Sequence, residues 1–271
     1  MRSFLTLSLL PLAVSATNIL LPLYVYPSAA WNDNASNWQS LLSTIRSHRD
    51  VSFDVVINPD SGPGGSGPGQ GRDDVNYVSG ATLLKAEPNV RTLGYVHTDY
   101  GRLAADAVVR NVSAWAAWPA AAAPRGIFFD ETPNGNPWNP NGYESAYMRG
   151  LAERARAVGT VGDFLVFNVG QKVVDANVPT YFDVADQVIV FEESWATYKA
   201  VNPVANNLPQ SRAADSAAII VHTFTGDLAA LGAELDRIGD ADVGGVWFTT
   251  TDYHQYTAPP ANAENQARLL S

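Results

Sequence analysis

The apolar positions of this chain fall in short dense runs separated by longer mixed stretches. Residues 20–26, 51–57, 90–96, 126–129, 164–167, 188–191, 218–221 and 243–248 are each rich in Val, Ile, Leu, Phe and Tyr. Runs of that length with little alternation predict strands buried on both faces. The stretches between them carry apolar residues at helical spacing, as at Trp38, Leu41, Leu42 and Ile45. Helices are expected over 74–86, 103–118, 143–158, 228–238 and 264–270, with a short one starting at 195–199. Eight strands in alternation with helices predict an α/β fold with a parallel sheet, here a single (β/α)8 TIM barrel. The rival, an open doubly wound sheet, would most often open its first helix with Gly-x-Gly-x-x-Gly, which is absent. No linker-like shift in composition divides the chain, so residues 17–271 read as one barrel domain.

The polar residues are not spread evenly over these strands. They gather at the C-terminal ends: Tyr26, Asn58, His97, Asp130, Glu131, Asn168, Glu192, Glu193, His222 and Asp252. In a barrel those ends form one mouth, where active sites sit. The segment Gly126-Ile127-Phe128-Phe129-Asp130-Glu131 and its counterpart Val188-Ile189-Val190-Phe191-Glu192-Glu193 each run straight into a pair of carboxylates. Carboxylates brought together from separate strands suit glycosidic hydrolysis, in which one protonates the leaving oxygen and another attacks or activates water. Asp130, Glu131 and Glu192 are the catalytic candidates. Neighbours on a strand point in opposite directions, so one of Asp130 and Glu131 is expected to face the axis while the other supports it. Of the second pair, Glu192 is expected to function and Glu193 to be solvated.

Tyr26, Asn58, His97, Tyr100, Asn168, Trp195, His222 and Tyr253 are the substrate-binding candidates. Trp31, Trp138 and Tyr198 also fall in segments after strands, where aromatic faces can stack on sugar rings, whereas Trp115, Trp118 and Trp247 read as packing. His97 and His222 lack the His-x-x-x-His or His-Glu-x-x-His spacing of a metal site, so no metal and no cofactor is expected. The Gly-rich stretch 61–71 lacks the Lys-Ser/Thr of a phosphate loop and reads as a lid or rim. There is no Gly-x-Ser-x-Gly elbow for a serine hydrolase.

Composition narrows the setting. A net charge of −10 argues against a nucleic-acid partner. The chain has no cysteine, which removes thiol catalysis and leaves stability to the core. Residues 1–16 combine one basic residue, an apolar run and a terminal Ala16, the pattern of a secretory signal peptide that is too short to span a membrane. A secreted monomer is expected, extracellular or associated with a cell wall, with no membrane contact after cleavage. Asn34-Ala35-Ser36 and Asn111-Val112-Ser113 are glycosylation sequons.

Several segments in order resemble the spherulin-4-like family: residues 21–27 with Trp31, Ile57-Asn58-Pro59 leading to Gly62-Pro63-Gly64, Gly94-Tyr95-Val96 with Tyr100-Gly101, the strand ending in Asp130-Glu131, and Val190-Phe191-Glu192 with Trp195. The resemblance covers nearly the whole mature chain. It implies a (β/α)8 barrel and a glycoside hydrolase acting on the α-1,4-linked N-acetylgalactosamine of galactosaminogalactan, an exopolysaccharide of the fungal wall. The family acids fall on Asp130, Glu131 and Glu192. Glu193 stands where the family often has a small or polar residue. Two other readings stay open at this point: a non-catalytic wall or spore-coat protein that binds polysaccharide, and a polysaccharide deacetylase.

Overall fold

The computed structural model describes residues 17–271 apart from 66, 68, 136–143, 213, 253–259 and 261. The expected signal segment, Trp138 and Tyr253 lie outside the described residues. Eight parallel strands close into a barrel in sequence order. They are β1 (Asn18–Leu23), β2 (Phe53–Ile57), β3 (Val90–His97), β4 (Gly126–Asp130), β5 (Leu165–Asn168), β6 (Gln187–Ser194), β7 (Ala217–His222) and β8 (Gly245–Phe248). The ring is sealed by the pairing of Asn18 with Gly245 and of Ile19 with Val246.

The helices are α1 (Gln39–Ser47), α2 (Val75–Lys85), α3 (Ala105–Ala116), α4 (Glu144–Arg156), α5 (Val178–Val184), α6 (Trp195–Val201), α7 (Pro203–Asn206), α8 (Leu228–Asp240) and α9 (Ala263–Leu270). Each longer helix buries one stripe. In α3 it is Val108, Val112 and Trp115, and in α8 it is Leu231, Leu235 and Ile238, the spacing that holds one face against the sheet. Side-chain caps fix where several helices begin. Asp74 accepts from the Asn76 and Tyr77 amides at α2, Ser194 from Thr197 at α6, and Asp227 from Ala230 at α8. None of the described helices is long and apolar enough to cross a membrane.

The strand bodies are buried almost throughout, with Phe128, Phe129, Phe167 and Phe248 fully enclosed. Burying each such ring contributes about 2–3 kcal/mol. Two differences from the sequence expectation matter. Residues 178–184 form a helix that the chain's pattern does not announce, since seven residues beginning Val-Pro give too short a period to read. The sixth strand runs on through Glu192 and Glu193 to Ser194, so both glutamates are strand residues.

Candidate active site

Asp130, Glu131, Asn168, Glu192 and Glu193 line one open groove at the C-terminal end of the barrel, with Tyr100 and the Val169–Gln171 turn forming its sides. The groove encloses about 500 Å³. Three strands supply it: β4 brings Asp130, β5 brings Asn168, and β6 brings Glu192.

The backbone at Glu131 explains how two neighbours share the groove. Glu131 has φ 53, the left-handed region that a residue with a Cβ rarely occupies. The strand pleat therefore stops at Asp130, and Glu131 does not turn to the opposite face. This corrects the expectation that only one of the pair could face the mouth. The unusual conformation is held by donors from the end of β3. The Tyr100 amide (2.8 Å) and the Thr98 hydroxyl (2.7 Å) both donate to the Glu131 carbonyl, and the Thr98 amide donates to that of Asp130 (3.0 Å). Asp99, Tyr100 and Gly101 also have φ near 50–80. Strain of this kind persists only where its surroundings over-determine it.

A second irregularity sets the phase of β6. Its register against β7 shifts between Ile189 and Phe191. The extra residue is Val190, whose carbonyl accepts from the Asn207 amide at 2.7 Å. A bulge re-phases the strand beyond it. Beyond this one, the carboxylate of Glu192 meets Asn168, while Glu193 is the more exposed of the two. Gly170, at φ 69, clips the strand from the β5 side, since its carbonyl accepts from the Glu192 amide at 2.8 Å.

Asn168 is the hinge of the constellation. It is buried, and its side-chain nitrogen donates to Asp130 Oδ1 at 2.7 Å and also to Glu192 Oε2. One amide thus bridges carboxylates from two strands, and its own Oδ1 is buried without a hydrogen-bond partner. Tyr95 completes the set. Its hydroxyl donates to Asp130 Oδ2 at 2.6 Å from beneath the groove, with its ring stacked on Phe128. Burial, and then the charge of Asp130, push the Tyr95 pKa well above its ordinary value, so it stays a proton donor. The sequence reading did not single out Tyr95 as a site residue. The signal was present in its place two residues before His97 on the same face of β3, where inward positions recur with period two.

Glu131 is electrostatically distinct. Its pKa is raised by burial and then by the charge of Asp130, and a smaller opposing effect comes from His97. A carboxyl whose pKa is raised beside a second carboxylate is the pairing expected of a general acid and its partner.

The other expected binding residues divide. Tyr100 lines the groove and is half exposed. His97 approaches Glu131, but its Nδ1 is 3.0 Å from the Ser61 carbonyl and so ties the start of the Gly-rich stretch to the rim. Asn58 accepts from the Gly62 amide at 3.0 Å and organises that same stretch. Tyr26 turns its hydroxyl to Asp74 and Asn76 at the start of α2, with its ring partly exposed. His222 Nε2 lies 3.8 Å from the Glu193 carboxylate. Trp195 is not brought to the groove. Its indole is buried against Tyr198, Phe224 and Phe248, and Tyr198 is buried with it. Both lie on α6, whose apolar face must cover the sheet, and that demand outranks their position after a strand. Among the described residues, no group of three or more His, Asp or Glu is arranged to hold a metal ion.

The model of spherulation-specific family 4 matches residues 18–269. The chain belongs to that family. Spherulin-4 of Physarum polycephalum is 30% identical over 183 residues, which are 67% of this chain and 46% of that protein. The chain thus spans about half the length of the curated relative it matches. Among solved structures, Aspergillus clavatus Sph3 in complex with GalNAc superposes with a TM-score of 0.78 at 28% identity, covering 94% of this chain and 98% of that one. XEG5A, a xyloglucan-specific endo-β-1,4-glucanase from a metagenomic library, matches with a TM-score of 0.50 at 11% identity, over 94% and 97% of the two chains. That likeness is one of fold alone.

Proposed function

We propose that this protein is a glycoside hydrolase that cuts within an amino-sugar polysaccharide, with galactosaminogalactan as the leading substrate. The observation that carries the reading is the convergence of Asp130, Glu131 and Glu192 from two strand ends into one open groove. The complex of Sph3 with GalNAc supports the choice of an N-acetylated galactosamine.

In this reading Glu131 is the general acid. Its pKa is raised, the direction that favours proton donation to the leaving oxygen. Glu192, at the opposite side of the Asn168 bridge, is the carboxylate that attacks or activates water. Asp130 receives hydrogen bonds from Tyr95 and Asn168. It supplies the neighbouring charge that raises the Glu131 pKa and an acceptor for a sugar hydroxyl or amide. Tyr100 and His97 lie where they can position the sugar, and an open groove suits a chain that enters and leaves on both sides. The leader in residues 1–16 makes export part of the proposal, and a mature protein beginning at residue 17 by mass spectrometry is the expected outcome.

The test is hydrolysis of a panel of galactosamine and glucosamine polymers, with reducing ends and free acetate measured together. Wild type should release reducing ends without acetate. Glu131→Gln and Glu192→Gln should each lose about 10²–10⁴-fold in kcat. If both variants cut as fast as wild type, the assignment of roles fails. Acetate without reducing ends would point to a deacetylase instead.

A further inference from the structure

Four large apolar side chains are exposed among the described residues: Tyr26, Trp31, Tyr100 and Leu228. Isolated exposed hydrophobics are ordinary on a protein surface. These four are not distributed as incidental exposure would be. Tyr26 and Trp31 follow β1, Tyr100 follows β3, and Leu228 opens α8 after β7. All four therefore stand on the end of the barrel that carries the carboxylates.

Trp31 is the most exposed of them, at 72%. Its loop is built to hold it there. Asp33 accepts from the amides of Ala29 and Ala30 at 2.8 Å each, from the Ser36 amide at 3.2 Å and from the Ser36 hydroxyl at 2.6 Å. Asn32, Asn34 and Ala35 all have φ between 53 and 62, and Ala35 is fully buried in that conformation. The Asn32 amide donates to Asn76 Oδ1 at 2.8 Å. The Asn76 side-chain nitrogen in turn donates to the Tyr26 hydroxyl at 2.9 Å. A loop that accepts three left-handed residues and spends its polar groups on itself, yet leaves an indole in water, stores strain of the kind found at ligand-binding positions.

We propose that Trp31 is a stacking platform for a sugar remote from the cleavage point, so that one polysaccharide chain runs from the β1 loop past Tyr100 into the carboxylate groove. The occupant is a carbohydrate rather than a protein surface, because the platform stands on the same end of the barrel as a second exposed aromatic, Tyr100, which lines the groove of carboxylates. An exposed aromatic face matches the apolar face of a pyranose. Strands β1 and β3 are two inter-strand spacings apart, about 10 Å. The platform therefore adds binding for an oligomer and adds nothing for a single sugar. The inference rests on the hydrolase reading of the groove and extends it to how a long substrate is held.

The test compares N-acetylgalactosamine polymer with its trisaccharide in wild type and Trp31→Ala, with Trp31→Phe as the conservative variant. The expected result is a KM for polymer about three- to tenfold higher in Trp31→Ala, with kcat and the trisaccharide kinetics as in wild type and Trp31→Phe largely restored. An unchanged polymer KM, or an equal loss on polymer and trisaccharide, overturns the proposal. Affinity electrophoresis through gels containing the same polymer gives a readout independent of turnover. If wild type cuts nothing but is retarded, and Trp31→Ala is not, the platform stands and the hydrolase reading falls. If Trp31→Ala is retarded as strongly as wild type, the platform is wrong whatever the activity.

Discussion

The two ends of this barrel each hold a carboxylate, buried at one and half-buried at the other, and they treat it in opposite ways. At the N-terminal end, Asp54 is 2% exposed and is met by the Arg91 guanidinium through Nε at 2.7 Å and Nη2 at 3.0 Å, with the Asn18 amide as a further donor. Arg91 also lies flat over the Phe164 ring. The buried charge there has a partner of opposite sign. At the C-terminal end, Asp130 is met by a phenol and an amide. Among the described residues, neither Asp130 nor Glu131 forms an ion pair with an Arg or Lys. A carboxylate neutralised by a guanidinium is a structural brace. One placed beside another acid and steadied by neutral donors keeps its charge available for chemistry.

That contrast can be broken at either end. The largest effect on the fold should come from Arg91→Ala, which leaves Asp54 buried without its cation. A loss of about 3 kcal/mol is expected in denaturant unfolding, with kcat unchanged while the protein remains folded. Loss of activity without loss of stability would mean that the two ends are not independent. At the mouth, Asn168→Ala should cost about 10- to 100-fold in kcat, the range for a hydrogen bond to a charged group, because Asp130 and Glu192 lose their common donor. The Arg91 and Asn168 effects should add in the double variant, since no residue is shared between the networks.

Two smaller effects sharpen the electrostatics. Asp130→Asn removes the larger of the two neighbouring charges, Asp130 and Asp99, that add to burial in raising the Glu131 pKa. Activity that needs protonated Glu131 is lost as pH rises through that pKa, so the basic limb of the residual profile should move to lower pH. Titration of Glu131 by NMR should show the same displacement where turnover is too slow to follow. The smallest effect is on stability. A carboxyl whose pKa is raised by folding favours the folded state at acid pH and loses that contribution as pH rises through the folded value. Glu131→Gln should therefore melt slightly higher than wild type at neutral pH. The gain should fade below the ordinary carboxyl range near pH 4. A variant that melts lower at neutral pH would show that the Glu131 charge is compensated after all.

Much of this arrangement can be read from the residues alone, and the reason lies in burial. Strands covered on both faces must be apolar, so 126–129 and 188–191 stand out, and acids at their ends mark the mouth. What escaped the reading is backbone geometry. Neither the left-handed conformation of Glu131 nor the bulge at Val190 has a Gly or Pro to announce it. Both come from tertiary donors, Thr98 and Tyr100 in one case and Asn207 in the other. The same limit explains Trp195, where position after a strand suggested the mouth but packing among Tyr198, Phe224 and Phe248 decided otherwise.

The backbone at residue 131 also bears on how such a protein can change over time. A side chain there costs about 1 kcal/mol relative to glycine, so under the proposed hydrolase function a lineage no longer selected for cutting would gain stability by giving up the glutamate. Descendants that keep the barrel and the aromatic rim but carry Gly or Asn at this position are expected to hold polysaccharide without cleaving it. Residue 131 would then serve as a one-letter record of whether selection for turnover has lapsed.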